Sequence, residues 1–480
     1  MSAASLKSRP TPDDALIEVA DYVSGYEVRD SGTYRMARLC LMDAMGCAIE
    51  ALKFEGCTRL LGPTVPGALF PGGARVPGTR FELDPVVAAF NIATMIRWLD
   101  FNDALAAAQG GHPSDNIGAL LAVADYLSRK RRAQGERTVA MREVFVAMIK
   151  MYEIQGVLSM ENNMVRLAID YTILAKAAAT AVVTQMLGGT RDQIVNAVSN
   201  AWADGANLTI FRHGNNTGPR KSWAGGDAAS RAVQLALMAL RGDMGYPSVL
   251  TAKTFGFQDV LLKGEPLKRP RPYGEFVMGN LIAFKFVPAG MQGQSAAECA
   301  YRLHPLVKDR LADIDSIMIS SHERMMKIMD KRGPLTNPAD RDHCVQYLVA
   351  FGLIHGKIGT SDFEDEVAAD PRIDALREKM SVIEDSRYTR DFHDPAKRTN
   401  THSIEIRFKD GSRSPRIEVE YPLGHPPLHD DSIPPLEAKL ERHLASRFPS
   451  EKIVSMFQLL RDQSRLENTP VDEFMDLFVA

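Results

Sequence analysis

Sulfur chemistry has little to work with in this sequence, whose five cysteines are odd in number and include no Cys-x-x-Cys pair. That spacing fits neither a disulfide framework nor a paired-cysteine zinc site. An iron-sulfur cluster loses support too, since its thiolate ligands usually include such a pair. Cys40 and Cys47, seven apart in a helical pattern, read as core packing in a reduced compartment. Charge of one sign is also lacking: 57 basic residues face 60 acidic ones. No global field therefore favours nucleic acid or an anionic membrane, and an anionic ligand must be caught by a local basic cluster. No apolar run approaches the roughly 20 residues of a bilayer span. No internal repeat or low-complexity tract is visible, which removes solenoid and tethering readings. Residues 1–14 have no signal-like apolar stretch, and Lys7 and Arg9 with no acid before Asp13 give only a faint transit-like character. They read as a disordered tail of a cytoplasmic protein.

The chain has 480 residues, 45% of them hydrophobic, enough for one large core and a second domain. Apolar residues recur at helical spacing from about Ser31 to Leu262, in segments such as 33–52, 85–99, 117–127 and 173–187, which predicts an all-helical part. Thr190 and Gln193 form a capping box before Ile194, and Gly242 ends the helix that passes Ala224. Frequent Ala and Gly inside these helices point to close helix contact. Near Lys268 a stiff Arg-Pro-Arg-Pro linker precedes strand-like alternation at 314–319. A hairpin follows, with Ile404, Ile406 and Phe408 alternating before an Asp410-Gly411 turn, then Ile417, Val419 and Tyr421. Helices return at 435–448 and 451–460. The expected organisation is mainly α: a helical domain over 15–272, a smaller α+β lid domain over 273–425, and C-terminal helices over 426–480 that rejoin the first domain.

Four segments could carry chemistry. In the first, Asp100-Phe101-Asn102-Asp103 precedes Gly111-His112-Pro113-Ser114-Asp115-Asn116, and Pro113 suits the first helical position. His112 would stand beside a helix start that favours a carboxylate, with Asp100 able to orient it; a capping role is the plain alternative. In the second, Phe211-Arg212-His213 precedes Arg220-Lys221-Ser222-Trp223-Ala224-Gly225-Gly226. Two glycines at a helix start beside adjacent cations imply close backbone or ligand approach, or else an exposed basic loop. The third sets Lys285 ahead of a Gly-broken loop through Gln294, either a lid with one cation or a surface loop. The fourth, residues 331–347, is rich in titratable groups and reads alone as a salt-bridged loop.

Taken together and in this order, these segments resemble the MmgE/PrpD superfamily and, within it, the 2-methylcitrate dehydratase branch. The resemblance rests on Arg97-Trp98-Leu99-Asp100-Phe101-Asn102-Asp103, Gly111-His112-Pro113-Ser114-Asp115-Asn116, Arg220-Lys221-Ser222-Trp223-Ala224, Met244-Gly245-Tyr246-Pro247-Ser248 and Asn337-Pro338-Ala339-Asp340-Arg341-Asp342-His343-Cys344, and runs from about residue 15 to the C-terminus. It implies a large helical domain, a lid domain, a homodimer and a site in the cleft between domains. It implies catalytic residues at Asp100, His112, Lys221, Lys285 and Tyr347, with no metal and no cofactor, acting on a tricarboxylate. Elimination of water would need a base for the proton beside a carboxylate, cations for the enolate-like charge, and an acid for the leaving hydroxyl, a part open to His112 or Tyr347. Arg212, His213 and Arg220 would join Gly110, Met291, Gln292 and Tyr171 in binding substrate.

The departures from the branch pattern matter. Where that pattern has Thr-Trp after the aspartate and Glu-Trp-Gly before the histidine, this chain has Ala104-Leu105 and Gln109-Gly110-Gly111. The lid loop, usually Ala-Glu-Phe-His-Ser-Gln, reads Ala289-Gly290-Met291-Gln292-Gly293-Gln294, and a pocket histidine is replaced by Tyr171. Each lost tryptophan ring removes roughly 150 to 250 Å² of buried surface. One reading is a site widened for an alkylcitrate with a chain longer than methyl, as in the alkylcitrate dehydratases of fungal maleidride pathways, with Gly110, Gly290, Gly293 and Met291 lining the extension. A second is ordinary 2-methylcitrate dehydration in propionate breakdown. A third is a weakened, carboxylate-binding or scaffold protein.

Overall fold

A computed structural model describes residues 9–480 and, at position 215, the backbone alone. Residues 1–8 of the expected tail lie outside the described residues. Residues 9–13 are not loose: Arg9 donates to the Gly245 carbonyl, and Asp13 accepts from the Leu250 amide at 2.7 Å.

Two separate apolar cores divide the chain. One draws on residues from Ala15 to Phe284 and again from Leu436 to Phe478, and the other on residues from Val287 to Val419. The centre of the first is a stack of Pro85–Arg97, Ile117–Ala133 and Arg220–Leu240. Asp84 starts the first of these by accepting from the Val86 and Val87 amides, with Pro85 at its first position. Glycine sets how closely they approach. A Cβ on Gly118 would lie 2.5 Å from the Ala93 nitrogen, and one on Gly226 would lie 2.7 Å from the Phe90 carbonyl. Close helix approach thus accounts for the glycine pair at 225–226, since a Cβ on Gly225 would also press on Asp115 at 2.9 Å. The Thr190–Gln193 box forms, and Gly242 takes φ +94 just past the helix end at Leu240.

The first domain is not entirely helical. Ala74–Arg75 pairs with Glu82–Leu83, and Ala104–Leu105 pairs with Ile282–Ala283. Two-residue ladders are too short to show as alternation. The second ladder matters for the site, because it ties the loop after Asp103 to the strand that leads into Lys285.

In the lid, a four-stranded sheet has the order Met380–Glu384, Ile314–Ser321, His402–Phe408, Ile417–Val419, parallel in its first pair and antiparallel in the others. Ile317 and Ile319 point to the core while Met318 faces outward, the alternation of a one-sided sheet. Gly411 supplies the expected turn with φ +84. The C-terminal helix begins at His429, six residues before the start read from the sequence, with Pro434 and Pro435 inside it. It packs on Ser31–Ala51, where Gly46 leaves room for Leu440. Its Lys439 is fully buried and donates to Asp43 at 2.7 Å, to the Phe101 carbonyl at 2.7 Å and to the Lys285 carbonyl at 3.1 Å. The last helices therefore brace both chain segments that carry the candidate site.

Candidate active site

The loop leaving Pro85–Arg97 turns sharply at Asp100, whose φ of +48 is rare for a residue with a side chain. Ion pairs hold it there. Asp100 Oδ1 takes Arg97 at 2.9 Å and accepts from Lys285, while Oδ2 has Lys221 at 3.7 Å and His343 Nε2 at 3.4 Å. Burial alone would raise this carboxyl, but Arg97, Lys285, His343 and Lys221 outweigh it and hold it well below the usual carboxylate range. Lys221 starts the helix Arg220–Leu240 and reaches across the cleft to Asp342 Oδ2 at 2.6 Å, with His343 Nδ1 at 3.0 Å. Burial pushes both lysine amines below the ordinary lysine value. Three cations, Arg97, Lys221 and Lys285, thus meet Asp100 and Asp342 at the pocket, with Asp115 3.8 Å behind Arg97.

His112 stands just before the short helix Pro113–Asn116. Its Nδ1 lies 2.6 Å from the Asp103 carbonyl, which can only accept, so Nδ1 carries the proton and Nε2 presents a lone pair. Nε2 is 3.8 Å from Asp100 Oδ1. Burial first, then the nearby Arg97 and Lys285 charges, keep this ring well below the usual histidine value, so it is neutral near pH 7.

A layer behind fixes the loop. Asp103 accepts from Ser114 Oγ at 2.6 Å and from Tyr152 at 2.7 Å, and Asn102 donates to Ser114 and Asp115. Tyr171 donates to Asp115 at 2.8 Å with its ring edge-on to His112, and the Arg212 guanidinium lies over the same ring at 4.8 Å. Arg212 also pairs with Asp170 and donates to the Lys221 carbonyl at 3.0 Å, which anchors the lysine-bearing helix start. Burial raises Asp103 and Asp115 to about 6.

The structure brings Asp100, His112, Lys221 and Lys285 together. Gly110, Tyr171, Arg212, His213, Met291 and Gln292 line the cavity beside them. Arg220 turns away, its guanidinium 4.2 Å over the Trp223 ring. Tyr347 is not brought to the cluster: its hydroxyl donates to the Asp362 carbonyl at 2.6 Å, among Phe351 and Phe363. Gly290 borders His343, but Gly293 faces Leu348 and Met329 inside the lid and lines no extension. Reading the sequence by residue missed Arg97, Asp342 and His343 as members of the cluster. All three lay in segments singled out there, and two titratable side chains directly after Asn337-Pro338-Ala339-Asp340-Arg341 were the available signal.

Asp100, Asp342 and His343 are close enough to share a cation. Lys221, Lys285 and Arg97 already neutralise those carboxylates, so a divalent ion would have to displace a lysine. What the arrangement offers is a neutral base next to a cationic floor, suited to taking a proton from a carbon beside a carboxylate.

Residues 17–270 match the MmgE/PrpD N-terminal domain and residues 287–462 the MmgE/PrpD C-terminal domain. A 2-methylcitrate dehydratase of Cupriavidus necator is 52% identical over 98% of each chain. A mitochondrial 2-methylcitrate dehydratase of Yarrowia lipolytica is 47% identical over 98% of this chain and 91% of its own. The 2-methylcitrate dehydratase-like protein oryR of Aspergillus oryzae is 38% identical over 99% of this chain and 98% of its own. With both domain models matched across the two cores, and relatives aligned over nearly the full length, this chain belongs to the MmgE/PrpD family.

Proposed function

We propose that this protein is a hydro-lyase that removes water from a 2-alkylcitrate to leave an alkyl-substituted cis-aconitate-type alkene. The observation that carries this reading is His112, with Nδ1 committed to the Asp103 carbonyl and Nε2 free beside Asp100. Nε2 takes the proton from the carbon next to a carboxylate, the C–H electrons become the new double bond, and the hydroxyl leaves as water. Arg97 and Lys285 offset the charge that grows on the carboxylate. Protonation of the leaving hydroxyl falls to the Lys221 and His343 side, which meets the other oxygen of Asp100. The relatives' names and the intact cationic cluster favour this over a scaffold role.

For the alkyl group, a Cβ on Gly110 would meet no atom within 4 Å. Past Gly110 and Leu105 the cleft continues into a second cavity whose near wall is residues 106–108, Met160 and Met291. That space supports a chain longer than methyl, while the names of the relatives support 2-methylcitrate itself. Chelator-treated protein is incubated with 2-methylcitrate and with a long-chain alkylcitrate, following ultraviolet absorbance of the conjugated alkene and product mass. Faster turnover of the long-chain acid supports the widened site; faster turnover of 2-methylcitrate assigns the smaller substrate; no turnover of either moves the scaffold reading forward. Gly110→Trp should reduce long-chain turnover more than 2-methylcitrate turnover.

A further inference from the structure

The second cavity has a far wall that the reaction above does not use. Arg324 lies on the boundary, lining both this cavity and the catalytic pocket, and Arg398 lines this cavity alone. Neither guanidinium has an ion-pair or hydrogen-bond partner among the described residues, whereas Arg97, Arg212, Lys221 and Lys285 at the catalytic pocket are all paired. Glu323, next in sequence to Arg324, is engaged by Lys327 and His393 instead. Arg398 is held with φ +48, a left-handed backbone that a side chain seldom takes without outside support. Thr399 and His425 line the same cavity, and Thr399 Oγ1 and His425 Nδ1 are buried without a partner. These two atoms are shut off from the open space, so the side chains left to face a ligand at this wall are the two arginines. Among the described residues, the one acid on the cavity, Glu161, is exposed.

We propose that this wall is a second carboxylate-binding site, a vestibule in which Arg324 and Arg398 hold a tricarboxylate before it passes Gly110 and Met291 into the catalytic pocket. The inference rests on the reading of the catalytic site as one for a tricarboxylate. Burial lowers both arginines, with Arg166 adding to this at Arg324, and an arriving carboxylate would offset it. Two guanidiniums at one cavity can share the carboxylates of one molecule. Such capture acts on the rate of arrival and leaves the chemical step alone.

Titration calorimetry on the full chain with tricarballylate, a tricarboxylate with no hydroxyl to lose, separates this from turnover. Two binding events are expected, and Arg398→Gln should remove the weaker while Arg398→Lys keeps it. With 2-methylcitrate, Arg398→Gln should lower kcat/KM about tenfold with kcat unchanged and flatten its salt dependence. Arg324→Gln gives an independent check, with the same loss of the weaker event. A single event in the unaltered protein, or two events untouched by both substitutions, overturns the vestibule. Two events lost as expected in a protein that dehydrates nothing would keep the vestibule and sink the dehydratase reading.

Discussion

Two buried aspartate-lysine pairs lie within reach of one another, and they are put to different uses. In Asp43–Lys439, the amine gives hydrogen bonds to one carboxylate and two carbonyls, so its three donors are used. In Asp100–Lys285, the carboxylate is over-supplied with cations and Lys285 has a hydrogen bond to that carboxylate alone. Burial raises the Asp43 carboxyl, whereas Asp100 is held well below the usual range. The same two residue types thus make a strut whose amine has all three donors used and a reactive centre whose amine has donors to spare. A buried pair is weak grounds for stability in itself; what distinguishes these two is how many donors remain unspent.

The sharpest way to test that contrast is on the reactive side. His112→Ala should lower kcat by about 10²- to 10⁴-fold with an unchanged circular dichroism spectrum, and undiminished turnover would remove His112 from the chemistry. Next, Lys439→Met leaves Asp43 buried and unpaired, so chemical denaturation should show a loss of about 3–5 kcal/mol. The double change Asp43→Leu with Lys439→Met should recover most of it, and a failure to recover would mean the strut acts mainly through the two carbonyls. Lys285→Met should do the reverse, lowering turnover by about 10²- to 10³-fold with little change in denaturation, because Arg97 and Lys221 still neutralise Asp100. If Lys285→Met unfolds the protein as readily as Lys439→Met, the distinction collapses.

Smaller effects refine the picture. Tyr347→Phe should cost about 1 kcal/mol of stability and change turnover less than threefold, about 0.6 kcal/mol. A loss of a hundredfold would make the tyrosine the reaction acid after all. The smallest expected effect is on pH. Since burial and two cations keep His112 well below 6.5, its protonated form gathers only in more acid solution, so kcat/KM should not fall between pH 8 and 6.5. An acid limb at the ordinary histidine value would show that the ring titrates as if exposed.

Much of the fold was legible because its signals are periodic or local. The helices and the 404–417 hairpin follow from alternation and turn chemistry, and the capping box forms where Thr190 and Gln193 stand. The short ladders were not, since two residues set no period. In the site, resemblance picked out Asp100, His112, Lys221 and Lys285, and the residues alone left a capping role open for His112. Geometry supplied what spacing does not carry: that Asp342 and His343 cross from the lid, that Arg97 folds back over its own loop, and that Tyr347 turns into the lid core. Arg324 and Arg398 gave no sequence signal, because lack of a partner is a property of three dimensions.

Asp43 and Lys439 are 396 residues apart in the chain. Synthesis runs from the N-terminus, so the helix carrying Asp43, the loop of Asp100 and the strand of Lys285 are all made long before the residue that ties them together. Until then Asp43 lacks its counter-charge and the Phe101 and Lys285 carbonyls lack that donor. The last brace behind the Asp100 loop and the Lys285 strand therefore closes only once the C-terminal helix has been made, and a chain that stops before it leaves Asp43 without its counter-charge.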